Sequence, residues 1–585
     1  MRIDKIHIKG FRNYDDEEIT FQNKTLIIGA NDVGKTNLIY ALRLLFDKSI
    51  SEHDLELSDS DYNAYSGTNQ IEITVTIEDV AEECLLSAFG GAVKDGRLLI
   101  RYTNSKNGDY QIFVGFDENT LTEITTRQYI RRLNMQCVDT NRDLIGFLRH
   151  ERVQMLRLAK ERLSQEAAAE DALKAVEIQE GLNSINSQVS SMNYITCALD
   201  QVNQELGKLS IHNEDQKVQF VAGESDAGKL LDNLVLAYSS SDHPLTLGGD
   251  GRNNQIFLAT WIAKQNIQKS IDHVTFYVIE EPEAHLHPHQ QRKLSEYIQN
   301  HFDDQVFITS HSPHIASRFA PRGIVRLYAK AKFTHAACGG CSEMLKKVIT
   351  DFGYRLNALS AEVFFSDGVF LVEGISEVLF YNALAKELSI DLDRLNISII
   401  AVEGVGFKPY VAVCNALNIP WVLRTDNDVF AKPTKKPTKN YYAGISRIMG
   451  IFEEILAGTS NSLYDYWNQH KDENEWPYKT NPPTTAKALN SYVRTQAVSY
   501  GLYVSDVDLE TDLANGPLKT SLLTHYNKHA VSTLVKAMQT KKAENMMHFL
   551  SHNHTSLSCL SGDNIVLPMN DLKSKVEERI HPVNG

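Results

Sequence analysis

The stretch Gly29-Ala30-Asn31-Asp32-Val33-Gly34-Lys35-Thr36 constrains this chain more than any other feature of its sequence. It fits G-x-x-x-x-G-K-[ST] and stands between an apolar run, Leu26 to Ile28, and an apolar helical pattern that begins near Asn37. Strand, glycine turn and helix start, in that order, put backbone N–H groups and the positive end of a helix around an anion. In such a loop Lys35 brings a point charge to the outer phosphates and Thr36 a hydroxyl to Mg²⁺, with Asn31, Asp32, Gly34 and Asn37 on the same turn. A second match, Gly223 to Leu230, lacks the hydroxyl after its lysine and sets Glu224 and Asp226 where phosphates would lie, so it reads as chance.

Partners for the first loop follow downstream. An apolar strand over Thr275 to Ile279 ends in Glu280-Glu281-Pro282, one carboxylate suited to hold Mg²⁺ through water and the next to orient an attacking water. Leu247 to Arg252 is a glycine turn, with Gly249 at its centre, leading into a helix. Phe307-Ile308-Thr309 is a strand ending in Ser310-His311-Ser312-Pro313, which places His311 to sense a γ-phosphate.

At 585 residues the chain exceeds one hydrophobic core, and two to four domains are expected. Hydrophobic residues make up 42% and charged residues 23%, no apolar run approaches the ~18 residues of a membrane span, and Met1 to Gly10 alternates in charge, so a soluble cytoplasmic protein is expected. Seven cysteines, an odd and scattered number, fit a reducing compartment better than a disulfide framework. The net charge of −15 disfavours a protein that coats nucleic acid.

All 15 prolines fall at or after Pro244. The opening alternates through Ile3, Ile6 and Ile8, turns at Gly10 to Tyr14 and resumes at Ile19 and Phe21, which predicts a β-meander. From Ile178 through Leu182, Ile185, Val189, Met192, Ile195, Leu199 and Val202 to Leu206 the apolar spacing alternates between three and four, a heptad seam that predicts a helical hairpin or coiled-coil insertion. Later short apolar strands at Gly323 to Tyr328, Gly368 to Val372, Ile397 to Val402 and Trp421 to Thr425 alternate with helical stretches, which implies parallel sheets. Lys432 to Lys439 and Trp476 to Thr485 read as loops.

A second constellation is acidic. The strand Gly368 to Val372 ends in Glu373, with Glu377 one helical turn on, and the strand at Val422 to Thr425 ends in Asp426-Asn427-Asp428. A parallel sheet brings both strand ends to one edge, where ligands bind. Asp506, Asp508, Glu510 and Asp512 add acid, and Lys541 and Lys542 add cations. Crowded carboxylates repel unless cations join them, and oxygen ligands of this kind suit Mg²⁺ or Mn²⁺. His285, His287 and His289 have a zinc-like spacing, as do Cys338 and Cys341, but the first run sits directly after a carboxylate-ended strand and the second has no partner pair.

The first constellation, opened by Phe11-Arg12-Asn13-Tyr14, resembles the ATPase heads of the SMC, RecF and OLD-like group. In that likeness Gly249 belongs to a signature turn, Glu280 and Glu281 to Walker B, Ala284 to His287 to a D-loop, and His311 is the switch histidine. Glu280 stands where those heads carry aspartate, which implies slow or absent hydrolysis and a regulatory nucleotide. The second constellation, with its glycine turn at Glu403 to Gly406, resembles the Toprim fold, and Asp508, Glu510 and Lys542 match the extra elements of OLD-family nucleases.

The whole arrangement is similar to class 2 of the OLD family (overcoming lysogenization defect), and within it to the Gabija type of anti-phage endonuclease. The resemblance implies an ABC-type head over 1–147 and 213–345, a dimerising coiled-coil insertion over 148–212 and a Toprim α/β domain over 346–585. It also implies ATP with Mg²⁺ at the head and two Mg²⁺ or Mn²⁺ ions held by Glu373, Glu377, Asp426, Asp428, Asp508 and Glu510. Glu373, Asp426, Asp428 and Lys542 would be catalytic, with Lys542 on the transition-state phosphate. Duplex DNA, further copies of the chain up to a tetramer and a UvrD-like helicase subunit are the implied partners, with no membrane. A stand-alone OLD nuclease of another defence or repair system and a RecF-like clamp without nuclease activity are the alternative readings.

Base is clustered as well as acid: Arg127 to Arg162 holds nine basic against four acidic residues, and Arg424 to Arg447 six against two. The negative total therefore leaves room for DNA gripped locally, with strong salt dependence.

Overall fold

The computed structural model describes residues 1–106, 108–139, 156–209, 227–232, 238–240, 243–245, 250–268, 272–343, 347, 360–403, 406–432, 438–453 and 461–581. They fall in two compact units, Met1–Asp139 with Ile271–Glu283 and Pro288–Gly585, and Thr140–Ser270 with Ala284–His287. Residues 247–249 of the glycine turn, Gly249 among them, Gly404 and Val405, 433–437 of the Lys432 to Lys439 loop, 140–155 of the first basic run and 223–226 of the second G-x-x-x-x-G-K match lie outside the described residues.

The first unit begins with the expected meander. Arg2–Phe11 pairs antiparallel with Tyr14–Thr20 on one side and with Gln70–Glu78 on the other. Ile3, Ile6 and Ile8 are all fully buried although the first two are an odd number of residues apart. A register shift between Ile3 and Lys5 absorbs the extra residue, as a bulge does, and keeps the three on one face. The sheet continues through Leu98–Ser105, Gln111–Gly115 and Thr122–Ile124.

A second six-stranded sheet carries the phosphate loop. Its order is Phe333–Ala336, Ile324–Lys330, Lys24–Ile28, Val306–Thr309, Val274–Glu280 and Leu133–Val138, parallel except for the edge hairpin. Leu26, Ile27 and Ile28 are buried on both faces, which is why this strand reads as a continuous apolar run. Helix Lys35–Phe46 follows directly and buries Leu38, Ile39, Leu42 and Leu45.

The third sheet is all parallel, in the order Ile397–Ala401, Gly368–Val372, Trp421–Thr425 and Leu502–Val504. All five residues of Gly368–Val372 are buried. The C-terminal helices pack on this sheet through Leu513, Leu534, Phe549, Leu572 and Val576, one continuous apolar cluster with Phe370 and Val422.

Arg326 is buried on strand Ile324–Lys330. Its guanidinium donates to the carbonyls of Phe364 at 3.1 Å, Leu417 at 3.1 Å and Ser366 at 2.7 Å. Arg127, counted in the first basic run, is also structural: it is buried and donates to the carbonyls of Leu44 at 2.6 Å and Ile50 at 2.8 Å.

In the second unit the heptad seam is not one helix. Gln165–Ser190, capped by the Ser164 hydroxyl on the Ala167 N–H at 3.3 Å, ends before Asn193–Leu209 begins. The seam breaks at Ser191, whose hydroxyl turns back onto the Gln188 carbonyl at 2.7 Å, the local competition by which serine ends helices. Ile195 and Leu199 are buried while Ile185, Met192 and Val202 are about half exposed. Helix Asp250–Gln268 starts beside the His285 backbone: a Cβ on Gly251 would come within 2.4 Å of the His285 carbonyl oxygen.

Candidate nucleotide and carboxylate sites

The phosphate loop is held in shape from outside. The Asn13 amide donates to the Val33 carbonyl at 3.1 Å and to the Thr334 hydroxyl at 2.6 Å, and its oxygen accepts from Asn37 at 2.7 Å. The Tyr14 hydroxyl donates to the Gly34 carbonyl at 2.9 Å, and Thr334 to Val33 at 2.6 Å. Arg12 reaches Asn37 at 2.8 Å and Asp61 at 2.9 Å with its guanidinium over the Tyr40 ring. The Phe11-Arg12-Asn13-Tyr14 opening is thus the brace of the loop, and Asn37 belongs to that brace.

Glycine is required twice. At Gly34 (φ +107°) a Cβ would lie 2.4 Å from the Asn13 amide nitrogen, and at Gly29 (φ +154°) 2.5 Å from the Leu327 carbonyl oxygen. Asn31, Asp32 and Thr36 are exposed at the rim, and Lys35 is buried. Lys35 folds onto the loop's own carbonyls, Ala30 at 2.7 Å and Gly29 at 3.0 Å. Burial pushes its pKa down to about 8, against the pull of Glu281, Asp32 and Glu283. A loop kept open by glycine, with an ammonium tied only to neutral carbonyls, fits an anionic phosphate group.

Strand Val274–Glu280 brings Glu280, which is buried, and Glu281 to this loop beside His311, whose Nε2 lies 3.5 Å from Glu281 Oε1. Burial, then Lys35, lowers the His311 pKa, which favours the neutral imidazole. Glu283 was not among the expected residues, although it follows Glu281 by two. One of its oxygens accepts from the Ser310 hydroxyl at 2.8 Å and the His311 N–H at 2.7 Å, while the other is buried with no hydrogen-bond partner among the described residues. It fixes the His311 backbone against the carboxylate pair.

At the C-terminal edge of the four-stranded sheet the acids are gathered as the strand ends require. Glu373 accepts from the Asp426 N–H at 2.9 Å, from Thr425 and from Arg447. Glu377 caps its own helix through the Gly374 N–H at 3.2 Å and the Ser376 hydroxyl at 3.0 Å. Asp426 accepts from the Leu509 N–H at 3.2 Å, which places helix Leu509–Asn515 against it. Asp508 is the N-cap of that helix, accepting from Thr511 N–H at 2.7 Å, and its other oxygen takes Gln539 at 2.6 Å. The first residue of helix Lys542–Asn553 then sets its ammonium 3.1 Å from Glu510 and 3.6 Å from Asp426.

Glu377, Asp426, Asp508 and Glu510 are buried, and Asp428 is partly so. Burial, then Glu373 and Glu377, pushes the Asp426 carboxyl up to about 8, and burial followed by Asp508 and Glu373 raises Asp428. Burial alone would lower Lys542, but Glu510 and Asp426 hold its ammonium above the ordinary range. No three carboxylates converge on one ion-sized point among the described residues. Lys542 and Arg447 hold them instead, as cations of the chain's own. An all-oxygen donor set this short of positive charge fits a hard divalent ion. Arg424 and Arg447, counted as basic surface, are pieces of this site: Arg424 is buried on Asp512 at 2.6 Å, and Arg447 binds Glu373.

Comparison with known proteins agrees with both constellations. The AAA ATPase domain family matches residues 1–129 and 148–316, just over half of the chain, and the Toprim domain of overcoming lysogenization defect protein-like proteins matches residues 364–428. Endonuclease GajA of Bacillus cereus is 25% identical over 544 residues, covering 88% of this chain and 89% of that one. The OLD nuclease of Thermus scotoductus is 25% identical over 459 residues, covering 73% and 82%. A solved SMC head bound to the C-winged helix domain of ScpA matches with a TM-score of 0.35 at 13% identity, over 57% of this chain and 97% of that one, too loosely to add to the argument. The phosphate loop braced by Asn13 and Tyr14, the carboxylates of Val274–Glu280 and the acidic edge behind Glu373 accordingly have one reading: the chain belongs to the AAA ATPase domain family, carries an OLD-like Toprim domain behind that ATPase region, and resembles class 2 OLD nucleases and GajA.

Proposed function

We propose that this chain is a nucleotide-regulated, divalent-metal-dependent endonuclease that nicks or cuts duplex DNA in anti-phage defence. The observation that carries the reading is the gathering of Asp426 and Glu510 about the Lys542 ammonium at the end of a parallel sheet, with Glu373, Glu377, Asp428 and Asp508 on the same edge. Glu373, Glu377, Asp426, Asp428, Asp508 and Glu510 would hold Mg²⁺ or Mn²⁺. Two such ions supply an activated water and charge neutralisation at the leaving 3′ oxygen of a phosphodiester.

The chain's own groups do the rest. Lys542, beside Glu510 and Asp426, would neutralise the charge that builds on the phosphate where those carboxylates hold divalent ions. Arg447 holds Glu373 in place on the same edge. Gln539 fixes the rotamer of Asp508. In the ATPase region Lys35 and Thr36 take the nucleotide phosphates. Glu280 reaches farther than the aspartate of related heads, and this favours nucleotide as a brake over rapid hydrolysis. Within the same reading 1–147 and 213–345 are the head, 148–212 the dimerisation arm and 346–585 the nuclease domain. The working assembly is a cytoplasmic homotetramer that pairs with a UvrD-like helicase subunit. Gly249 of one copy completes the nucleotide site of another.

The test is plasmid cleavage by the purified chain with Mg²⁺, with and without ATP. Cleavage that EDTA stops and that Asp426→Ala loses supports the reading; undiminished cutting by Asp426→Ala rejects the site.

A further inference from the structure

The four-stranded sheet has a cavity at its other edge. At the N-terminal end of strand Trp421–Thr425, opposite the carboxylates, lies a cavity of about 480 Å³ lined by Tyr328, Lys330, Trp421, Tyr500, Lys575 and Arg579 among others. That volume lies within the range of small-molecule sites. Neither the phosphate loop nor the acidic edge contributes a residue to it.

Its charge is unbalanced. Arg579, on helix Leu567–Ile580, lays its guanidinium 4.2 Å from the centroid of the Tyr328 ring. Both terminal nitrogens are closed off from solvent and find no hydrogen-bond partner among the described residues. A second guanidinium, that of Arg326, lies buried next to it, and the carboxylate acting on both is Asp367. Asp367 stands 3.5 Å from Arg326 and already accepts from the Asn396 amide at 3.1 Å. Burial and then the Arg579 charge push Arg326 down to about 10, the direction expected of two cations sharing one anion. Lys575 adds a third positive group, shared with Asp571 at 3.0 Å, and Lys330 is exposed at the rim. A guanidinium shut inside without hydrogen bonds is costly; its terminal nitrogens are covered as they stand, and turning them toward an anion bound in the cavity offsets that cost.

The walls are aromatic. The Trp421 indole N–H donates to Asn415 at 2.8 Å, which fixes the plane of its ring, and Tyr500 packs edge-on against Phe452 at 5.0 Å. Oriented rings beside a cationic wall suit a flat base attached to a phosphate.

We infer that this cavity is a second nucleotide site, which takes a nucleoside phosphate with its phosphate toward Arg579, Lys575 and Lys330 and its base against Trp421 and Tyr500.

The test uses the full chain carrying Lys35→Ala, which silences the phosphate loop, and measures binding of ADP and of inorganic phosphate by titration calorimetry. ADP is expected to bind one per chain and at least about tenfold more tightly than phosphate, because the rings contribute. Adding Arg579→Gln should weaken ADP about tenfold or more, and Lys575→Gln, which alters a half-exposed side chain, about threefold or more. If Arg579→Gln does not fold, Lys575→Gln and Trp421→Leu carry the test. Absence of ADP binding, equal affinities for ADP and phosphate, or ADP binding unchanged by these substitutions overturns the inference. So does capture of a 5′-phosphorylated oligonucleotide by a chain that ignores ADP. None of these outcomes depends on whether the acidic edge cleaves DNA.

Discussion

The phosphate loop and the acidic edge are opposite solutions to the same electrostatic problem. At the loop the chain presents donors, and the groups that touch the turn itself are neutral: Asn13, Tyr14 and Thr334 hold it, with Arg12 behind them on Asn37, while Lys35 rests on backbone carbonyls. At the edge it presents acceptors, and cations of its own hold them: Lys542 lies on Glu510 and Asp426, and Arg447 on Glu373. The first site admits its ligand without displacing a charge, whereas the second must exchange bound cations for incoming ones. Substitutions should therefore damage the two sites differently, through shape at the loop and through charge at the edge.

The largest expected effect is at the edge. Asp426→Ala or Lys542→Ala should lower Mg²⁺-dependent plasmid cleavage by on the order of 10²–10³-fold, with assembly unchanged by size-exclusion chromatography. Cutting by Lys542→Ala at the wild-type rate would show that this cation only guards the acids. Next comes Gly34→Ala, which forces a side chain into φ +107° against Asn13. A strain of ~1–3 kcal/mol is expected, read as a roughly ten- to hundredfold loss of ATP affinity with cleavage in the absence of nucleotide intact. Lys35→Ala should also weaken ATP and leave cleavage active at ATP concentrations that silence the wild type; equal inhibition of both would remove the loop from regulation. A smaller effect is expected of Asn13→Ala, about 1–2 kcal/mol in loop stability, seen as increased hydrogen exchange at Val33 and Gly34.

The smallest concerns pH. The Lys35 pKa is depressed to about 8, and the ammonium is the form that meets phosphate. ATP affinity should hold up to pH 7 and decline above about 8, by at most about tenfold per unit. The decline should vanish in Lys35→Ala.

Most of the fold was readable because its signals are local. Gly368–Val372 and Trp421–Thr425 have the bounds expected of them, the first because a strand buried on both faces reads as an apolar run, the second from Trp421, Val422 and Leu423 although it also buries Arg424 and Thr425. The nucleotide loop was readable for the same reason. What escaped was whatever depends on partners distant in sequence. Arg447 and Arg424 looked like basic surface until the structure placed them on Glu373 and Asp512, 74 and 88 residues away. Glu283 drew no notice behind Glu280 and Glu281, and its role comes from Ser310 and His311 on another strand end. The three-residue strand Leu502–Val504 is too short for a period to show. The heptad seam pointed to a helical hairpin, and two helices are there, Gln165–Ser190 and Asn193–Leu209; what the spacing hid is the break at Ser191, because the apolar period continues past it.

The buried guanidinium of Arg326 also limits how the molecule can be taken apart. A fragment that keeps the ATPase sheet but stops before Phe364 would leave the Arg326 guanidinium without its three carbonyl acceptors and open to water. A fragment that starts after Lys330 would leave the carbonyls of Phe364, Ser366 and Leu417 without that donor. Each half produced alone is therefore expected to be less stable than the same segment in the intact chain, which thermal unfolding of the separated halves would read.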